Sequence, residues 1–200
     1  IHYSELFTEH KDYFYPYFST DVVPTKSDHT WSFTLSSNKV AGPSNLTWDM
    51  GALQGKASGL YLLDQQSGKL VDMKTTDSHT VDLSKGDFKF EIYFAGSGNQ
   101  VIPNRLLLGD AYPNPASTQT TIPILLPGDA NELVDIDLSV FDMNGNKVAT
   151  LASGKHRPGV YEFTWDIGTA QKRAVSGLFF YRLSFGDNSR VPLYKKIILR

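Results

Sequence analysis

Apolar and polar residues alternate along this chain with a period of two, and no segment shows a convincing helical period. Phe88, Phe90, Ile92 and Phe94 alternate with Lys89, Glu91 and Tyr93. Val134, Ile136, Leu138 and Val140 alternate with Asp135, Asp137 and Ser139. Tyr161, Phe163 and Trp165 alternate with Glu162 and Thr164. A strand sends successive side chains to opposite faces, so each run predicts one face on a core and one in solvent. That is the pattern of antiparallel sheets covered on one side, and the expected fold class is all-β.

Turn signals fall between the runs. Asn144-Gly145 predicts a tight hairpin joining 134–142 to 146–152, because both residues tolerate positive φ. Ser67-Gly68 predicts a second hairpin, and Lys85-Gly86-Asp87 a third, ahead of the strand at 88–94. The stretch 95–105, AGSGNQVIPNR, is rich in Gly, Asn and Pro and reads as an exposed linker. It divides the chain into a first β-sandwich at 1–98, a linker with a processing region at 99–107, and a second sandwich at 108–200. The second half reads as about seven strands, near 106–108, 120–126, 134–142, 146–152, 159–166, 177–186 and 191–199. Pro123 predicts that its strand is an edge strand or sits irregularly in a sheet. The halves echo one another: LTWDM and ASGLYLLD at 46–64 resemble FTWDI and VSGLFFYRL at 163–183.

Composition narrows the function classes. The net charge of -2 provides no field for nucleic acid or an anionic membrane, so no nucleic-acid partner is expected. No apolar run is long enough for a helical membrane span. The absence of cysteine removes disulfides, thiolate metal sites and cysteine nucleophiles. With neither an initiator methionine nor a signal peptide at Ile1, the chain is expected to be the C-terminal part of something longer.

The residues do not assemble reaction chemistry. His2, His10, His29, His79 and His156 have no local metal-ligand spacing and are expected to be scattered over the surface. There is no nucleophile elbow and no phosphate-cradling loop. Asp142-Met143-Asn144-Gly145-Asn146 alternates oxygen ligands like a calcium loop but lacks the distal bidentate glutamate, and the hairpin accounts for Asn-Gly. No metal, cofactor or catalytic residue is therefore expected, and no enzyme within these residues. The aromatic cluster Tyr13, Phe14, Tyr15, Tyr17 and Phe18 is expected in the first core and its rim; a carbohydrate-stacking platform is the alternative. Trp31, Trp48 and Trp165 are expected in cores.

Four blocks occur in order in the second half: LLLGDAYPNPASTQTTIPILLP at 106–127, LSVFDMNGNKVATL at 138–151, PGVYEFTWD with SGLFFYRL at 158–166 and 176–183, and KKIILR at 195–200. Together they resemble the C-terminal sorting domain of cargo proteins of the type IX secretion system of Gram-negative bacteria. The Ig-like module of flagellar hook-cap proteins shares the third block but lacks the YPNP block and the terminal tail. The resemblance implies an Ig-like sandwich of about seven strands, making two Ig-like antiparallel β-sandwich domains in tandem. It implies an address label: cargo folds in the periplasm, crosses an outer-membrane translocon and is carried by a shuttle β-barrel. A sortase-like surface protease then commonly removes the domain, here within 95–108. The cargo is released or attached to surface lipopolysaccharide. A carbohydrate-binding or adhesive module, or a hook-cap-like structural domain, is the alternative role.

By position, the resemblance implies an opening motif of Tyr112, Pro113, Asn114 and Pro115. The hairpin motif is Asp142, Gly145 and Val148. The late-strand motif is Gly159, Tyr161, Trp165 and Asp166, then Ser176, Gly177 and Tyr181. The tail is Lys195, Lys196, Ile197, Ile198, Leu199 and Arg200. One departure is that Ile167 intervenes between Trp-Asp and Gly168, where the family has glycine directly, and the loop that follows carries Lys172 and Arg173. Should the last strand lie at a sheet edge, its backbone could add to a receptor strand, with Lys195, Lys196 and Arg200 facing acidic receptor loops.

Overall fold

A computed structural model of the chain describes residues 4–9, 17–18, 28–37, 42–51, 55–168, 176–186 and 190–200. His2, His10, Tyr13, Phe14, Tyr15, Lys172 and Arg173 lie outside them, as do the side chains of Tyr17 and Phe18. The chain divides into two compact units, Ile1–Val101 and Ile102–Arg200.

The first unit contains β1 (Ser4–Glu9), β2 (Tyr17–Phe18), β3 (His29–Ser37), β4 (Pro43–Thr47), β5 (Ala57–Asp64), β6 (Lys69–Asp72), β7 (Ser78–Asp82) and β8 (Phe88–Gly96). Six form an antiparallel sheet in the order β2-β1-β3-β8-β5-β6, and β4 pairs with β7. Phe33, Leu60, Leu62, Phe88, Phe90 and Phe94 from the large sheet share a core with Val81 of β7, while Leu46 and Trp48 pack against it. The hairpin at Ser67-Gly68 forms as expected, with Gly68 at φ 67°.

Three expectations for this unit are corrected. Lys85-Gly86-Asp87 is no hairpin: β7 lies in the small sheet and β8 in the large one, so the turn is a crossover. The polar face of β8 is solvated only at Lys89. Glu91 is 8% exposed and Tyr93 0%, level with buried Leu63 and Ala95, because β8 is a central strand covered on both faces. His79 is not on the surface. It occupies an inward position of β7, its Nε2 3.2 Å from Oδ2 of buried Asp64 and its ring edge-on to Phe90. The alternation of SHTVD turns His79 and Val81 to the same side, which is the core side.

The second unit contains β9 (Leu107–Leu108), β10 (Gln119–Leu126), β11 (Val134–Phe141), β12 (Lys147–His156), β13 (Gly159–Asp166), β14 (Gly177–Phe185) and β15 (Leu193–Leu199). They form a sheet β13-β10-β9 and a sheet β12-β11-β14-β15, each antiparallel. Ile122, Ile124, Leu126 and Trp165 of the first meet Ile136, Leu138, Val140, Tyr181, Leu183 and Ile197 of the second in one core. This is the expected antiparallel Ig-like sandwich of seven strands. Each fully buried Leu, Ile or Val contributes about 1.5–3 kcal/mol by leaving water.

Pro123 is not in an edge strand. β10 is the middle strand of its sheet, and the missing donor is accommodated by a break on one side. Thr121 exchanges both backbone bonds with Tyr112 (2.8 and 2.9 Å), and the Pro123 carbonyl accepts from Gly109 N–H (2.8 Å). The absent Pro123 N–H therefore points into the gap between β9 and Tyr112, where no ladder partner waits.

Candidate functional site

The opening motif and the tail, far apart in sequence, form one bonded structure. Tyr112 pairs with Thr121 and its hydroxyl donates to Glu162. The Tyr112-Pro113 and Asn114-Pro115 peptide bonds are cis, and the Pro113 carbonyl accepts from Thr120 Oγ1 at 2.9 Å. The Asn114 side chain then stands beside the outer edge of β15. Its Nδ2 donates to the Lys196 carbonyl (3.3 Å) and its Oδ1 accepts from Ile198 N–H (3.0 Å). The side-chain amide turns one N–H donor and its carbonyl acceptor to the strand, as a peptide group does, so Asn114 imitates one rung of a ladder. Ala116 supplies the next: its N–H donates to the Ile198 carbonyl (2.9 Å), and its carbonyl accepts from Arg200 N–H (2.8 Å).

β15 is the edge strand by sheet order, as the strand-addition idea required, but its free side is closed from Lys196 to Arg200. The expectation of an open receptor edge there is corrected: Asn114 and Ala116 already bond those groups. Lys195 is also engaged. It shares its side of the strand with Ile197 and Leu199, is half-buried, and pairs with Asp110. Ile197 and Leu199 are buried, whereas Lys196, Ile198 and Arg200 face outward.

Tyr181 ties the domain entrance to the core. Fully buried, its hydroxyl donates to the Gly109 carbonyl (2.8 Å) and accepts from Ala111 N–H (3.0 Å). Burial pushes its phenol well above the ordinary tyrosine range; the Ala111 N–H opposes this and the Asp110 charge assists it. Tyr112 is shifted upward too, by burial and then by Glu162.

The hairpin motif is separate from that stitching. Asp142 Oδ1 accepts from the N–H groups of Asn144 and Asn146 (both 2.9 Å), and Oδ2 from Asn146 Nδ2 (3.0 Å). The turn is centred on Met143-Asn144, with Gly145 N–H returning to the Asp142 carbonyl (3.1 Å) and Gly145 at φ 81°. The expected two-residue Asn-Gly turn is thus displaced by one residue, because the Asp142 carboxylate draws the backbone donors of the loop onto itself. Val148 packs against the core edge. Among the described residues no three His, Cys, Asp or Glu side chains gather at a metal-binding distance.

The late-strand residues divide into two places. Gly159 is buried at the start of β13, and Tyr161 is half-buried, donating to the Arg157 carbonyl (2.7 Å) and stacked on Phe163. Trp165 is 2% exposed and edge-on to Phe179. Asp166 accepts from Gly168 N–H (3.0 Å), and Ser176 and Gly177 are exposed at the start of β14. Ile167, the departure from the family pattern, is 8% exposed and joins the core, while its N–H donates to the Thr118 carbonyl (2.9 Å). The extra residue extends the apolar layer of the core.

Sequence reasoning missed Asp110, Ala116 and Glu162, the partners of motif residues. It also missed Phe180, Arg182 and Tyr194, which face outward from the same sheet. Part of their signal was legible: in GLFFYRL, alternation must turn the two adjacent phenylalanines to opposite faces, so one of them leaves the core side.

The expected linker at 95–105 is partly structured. Ala95 and Gly96 belong to β8, and Gly96 N–H and Asn99 Nδ2 both donate to Asp28 Oδ1 (3.2 and 2.9 Å). Gly98 N–H donates to Ser58 Oγ (2.7 Å), and Val101 is buried. The glycines there make a tied turn because Asp28 and Ser58 capture their amides.

Residues 110–200 match the family described as secretion system C-terminal sorting domain. No curated protein matches the chain. Among solved structures, dimeric latent PorU from Porphyromonas gingivalis is similar over 98% of this chain, with 14% identity and a TM-score of 0.41; the match spans 20% of that protein's chain. Residues 110–200 of this chain are a C-terminal sorting domain of the type IX secretion system.

Proposed function

We propose that this domain is read by the outer-membrane translocon of the type IX system and carried by its shuttle β-barrel. In that reading the chain passes through the periplasm, reaches the cell surface or the medium, and loses the domain to a sortase-like surface protease. What supports this is the family match, which begins at Asp110, beside the opening motif, and reaches the tail stitched to it. The cut is proposed between the tied turn at Asn99 and β9, where Asn104 is exposed. The first unit is proposed as the last sandwich of the cargo, and no catalytic step is assigned to either unit.

Deleting 191–200 from the full chain, expressed behind a signal peptide in a bacterium with this system, is expected to leave it in the periplasm. Surface delivery of that truncation at the wild-type level refutes the reading. As a complement, 102–200 placed behind a signal peptide and a fluorescent protein is expected to bring fluorescence to the surface.

A further inference from the structure

Among the described residues, six large apolar side chains stand exposed, and four of them lie together on the outer side of the second unit. They are Met143 (63% exposed), Tyr194 (60%), Ile198 (42%) and Phe180 (36%). Register explains the clustering. Phe180 lies opposite Phe141 on one side and Lys196 on the other, Arg182 opposite Tyr194, and Leu178 opposite Ile198. The alternation that sends Phe179, Tyr181, Ile197 and Leu199 into the core turns these side chains out.

The face also carries unsatisfied charge. The Arg182 guanidinium lies over the Phe141 ring at 4.7 Å, and its Nε is buried without a hydrogen-bond partner. Neither Arg182 nor Lys196 joins an ion pair of the described residues. Phe141, Met143, Phe180, Arg182 and Tyr194 line a cleft of about 360 Å³. Asp142 reaches it too, but its oxygens accept from Asn144 and Asn146. An apolar cleft with an unpaired guanidinium in its wall is complementary to an apolar side chain beside a carboxylate. A membrane surface fits less well, because nearby Lys147 pairs with Asp137 and Lys195 with Asp110. Strand addition along the tail is closed by Asn114 and Ala116.

We propose that the outward face of β14 and β15, centred on Phe180, Arg182 and Tyr194, docks a polypeptide segment of the export machinery that carries an aromatic or branched apolar residue next to Asp or Glu. This rests on the sorting reading above. The contact is made with side chains of an already folded domain, not with its backbone edge.

The test uses the full chain behind a signal peptide in a type IX-competent bacterium, with surface and periplasmic fractions measured. Tyr194→Ser, Phe180→Ser and Arg182→Glu are expected to lower the surface fraction about tenfold, the size of losing one interface anchor. Leu133→Ser and Val191→Ser, exposed apolar positions outside the face, are expected to leave it unchanged. Should Phe180→Ser melt early, Tyr194→Ser decides, because a side chain 60% exposed bears little of the fold. Wild-type export of Tyr194→Ser and Arg182→Glu overturns the docking face and leaves the sorting reading standing. A wild-type chain that stays in the periplasm overturns both. Benzoylphenylalanine placed at 194 is expected to cross-link in cells to an outer-membrane protein of the system. A cross-link between two copies of this chain overturns the proposal in favour of self-association.

Discussion

Replacing Tyr181 by Phe removes one oxygen from a fully buried ring and leaves its shape in place. Two groups lose their partner, the Gly109 carbonyl and the Ala111 N–H, at 2.8 and 3.0 Å from that oxygen. A net hydrogen bond is worth about 1 kcal/mol, and a buried group left unsatisfied costs about 1–3 kcal/mol. Tyr181→Phe should therefore destabilise the second unit by about 2–4 kcal/mol at neutral pH, a large share of the roughly 5–15 kcal/mol typical of a domain. The loss should depend on pH in a defined direction. Because the folded phenol is shifted upward, the unfolded chain ionises first, near the ordinary tyrosine value of about 10. Below that value the wild-type contribution is fully present. Above it, the unfolded state releases a proton that the folded state keeps, and wild-type stability falls by up to about 1.4 kcal/mol per pH unit. Phenylalanine has no such term, so the gap between wild type and variant should narrow from about pH 9 to about pH 11. Urea unfolding at each pH, with peptide-resolved hydrogen exchange over 109–116 and 179–185, separates this unit from the first. Equal stability at neutral pH, or a gap that stays constant through the alkaline range, refutes the account of Tyr181 as a buried two-way bond.

Asn114→Ala should cost about 1–2 kcal/mol, with water replacing the rung at an exposed edge, and hydrogen exchange at the Ile198 amide should accelerate while that of core Leu183 changes little. Gly145→Ala should cost about 1 kcal/mol by backbone conformation alone, since φ is 81° and an added Cβ meets nothing within 4 Å. Gly59→Ala should fail for another reason, a Cβ 2.7 Å from Val101 Cγ2, and Val101→Ala should rescue it in a thermal-melt double-mutant cycle. Burial raises the Asp64 carboxyl, but donors from His79, the Ser67 side chain and backbone, and Gln66 outweigh it and hold the group below its usual value. Its contribution should be present above about pH 4 and lost as pH falls through the lower folded value; Asp64→Asn should flatten that acid limb for the first unit in urea titrations.

The seven strands of the second unit were legible because their runs alternate cleanly and are separated by Gly, Pro and Asn. What lies across those strands was not. Asn114 bonds residues 82 and 84 positions away, and no local pattern announces a side chain acting as a strand rung. The tail therefore read as an open edge with three free cations, when one of them is paired and the backbone from Lys196 onward is bonded. Pro123 was legible as far as an irregular place in a sheet, which the break beside β10 is; that the strand is central and not an edge was not, because the strand that breaks lies elsewhere in the sequence. Glu91 and Tyr93 read as solvated because alternation reports which face differs, not whether the second face is also covered. The motif residues were named from resemblance; their partners Asp110 and Glu162 carry no signal except the fold.

The stitching of Asn114 and Ala116 to Ile198 and Arg200 makes the first loop of the sorting domain depend on its final strand. During synthesis, the amide of Asn114 has no rung to fill until residue 198 has been made, and Ala116 waits for residue 200. A prematurely terminated chain could form β10 to β14 and still present an unfinished entrance. The loop at Asn114 and Ala116 thus reports on β15 itself: it closes only once residues 198 and 200 are in place to bond it.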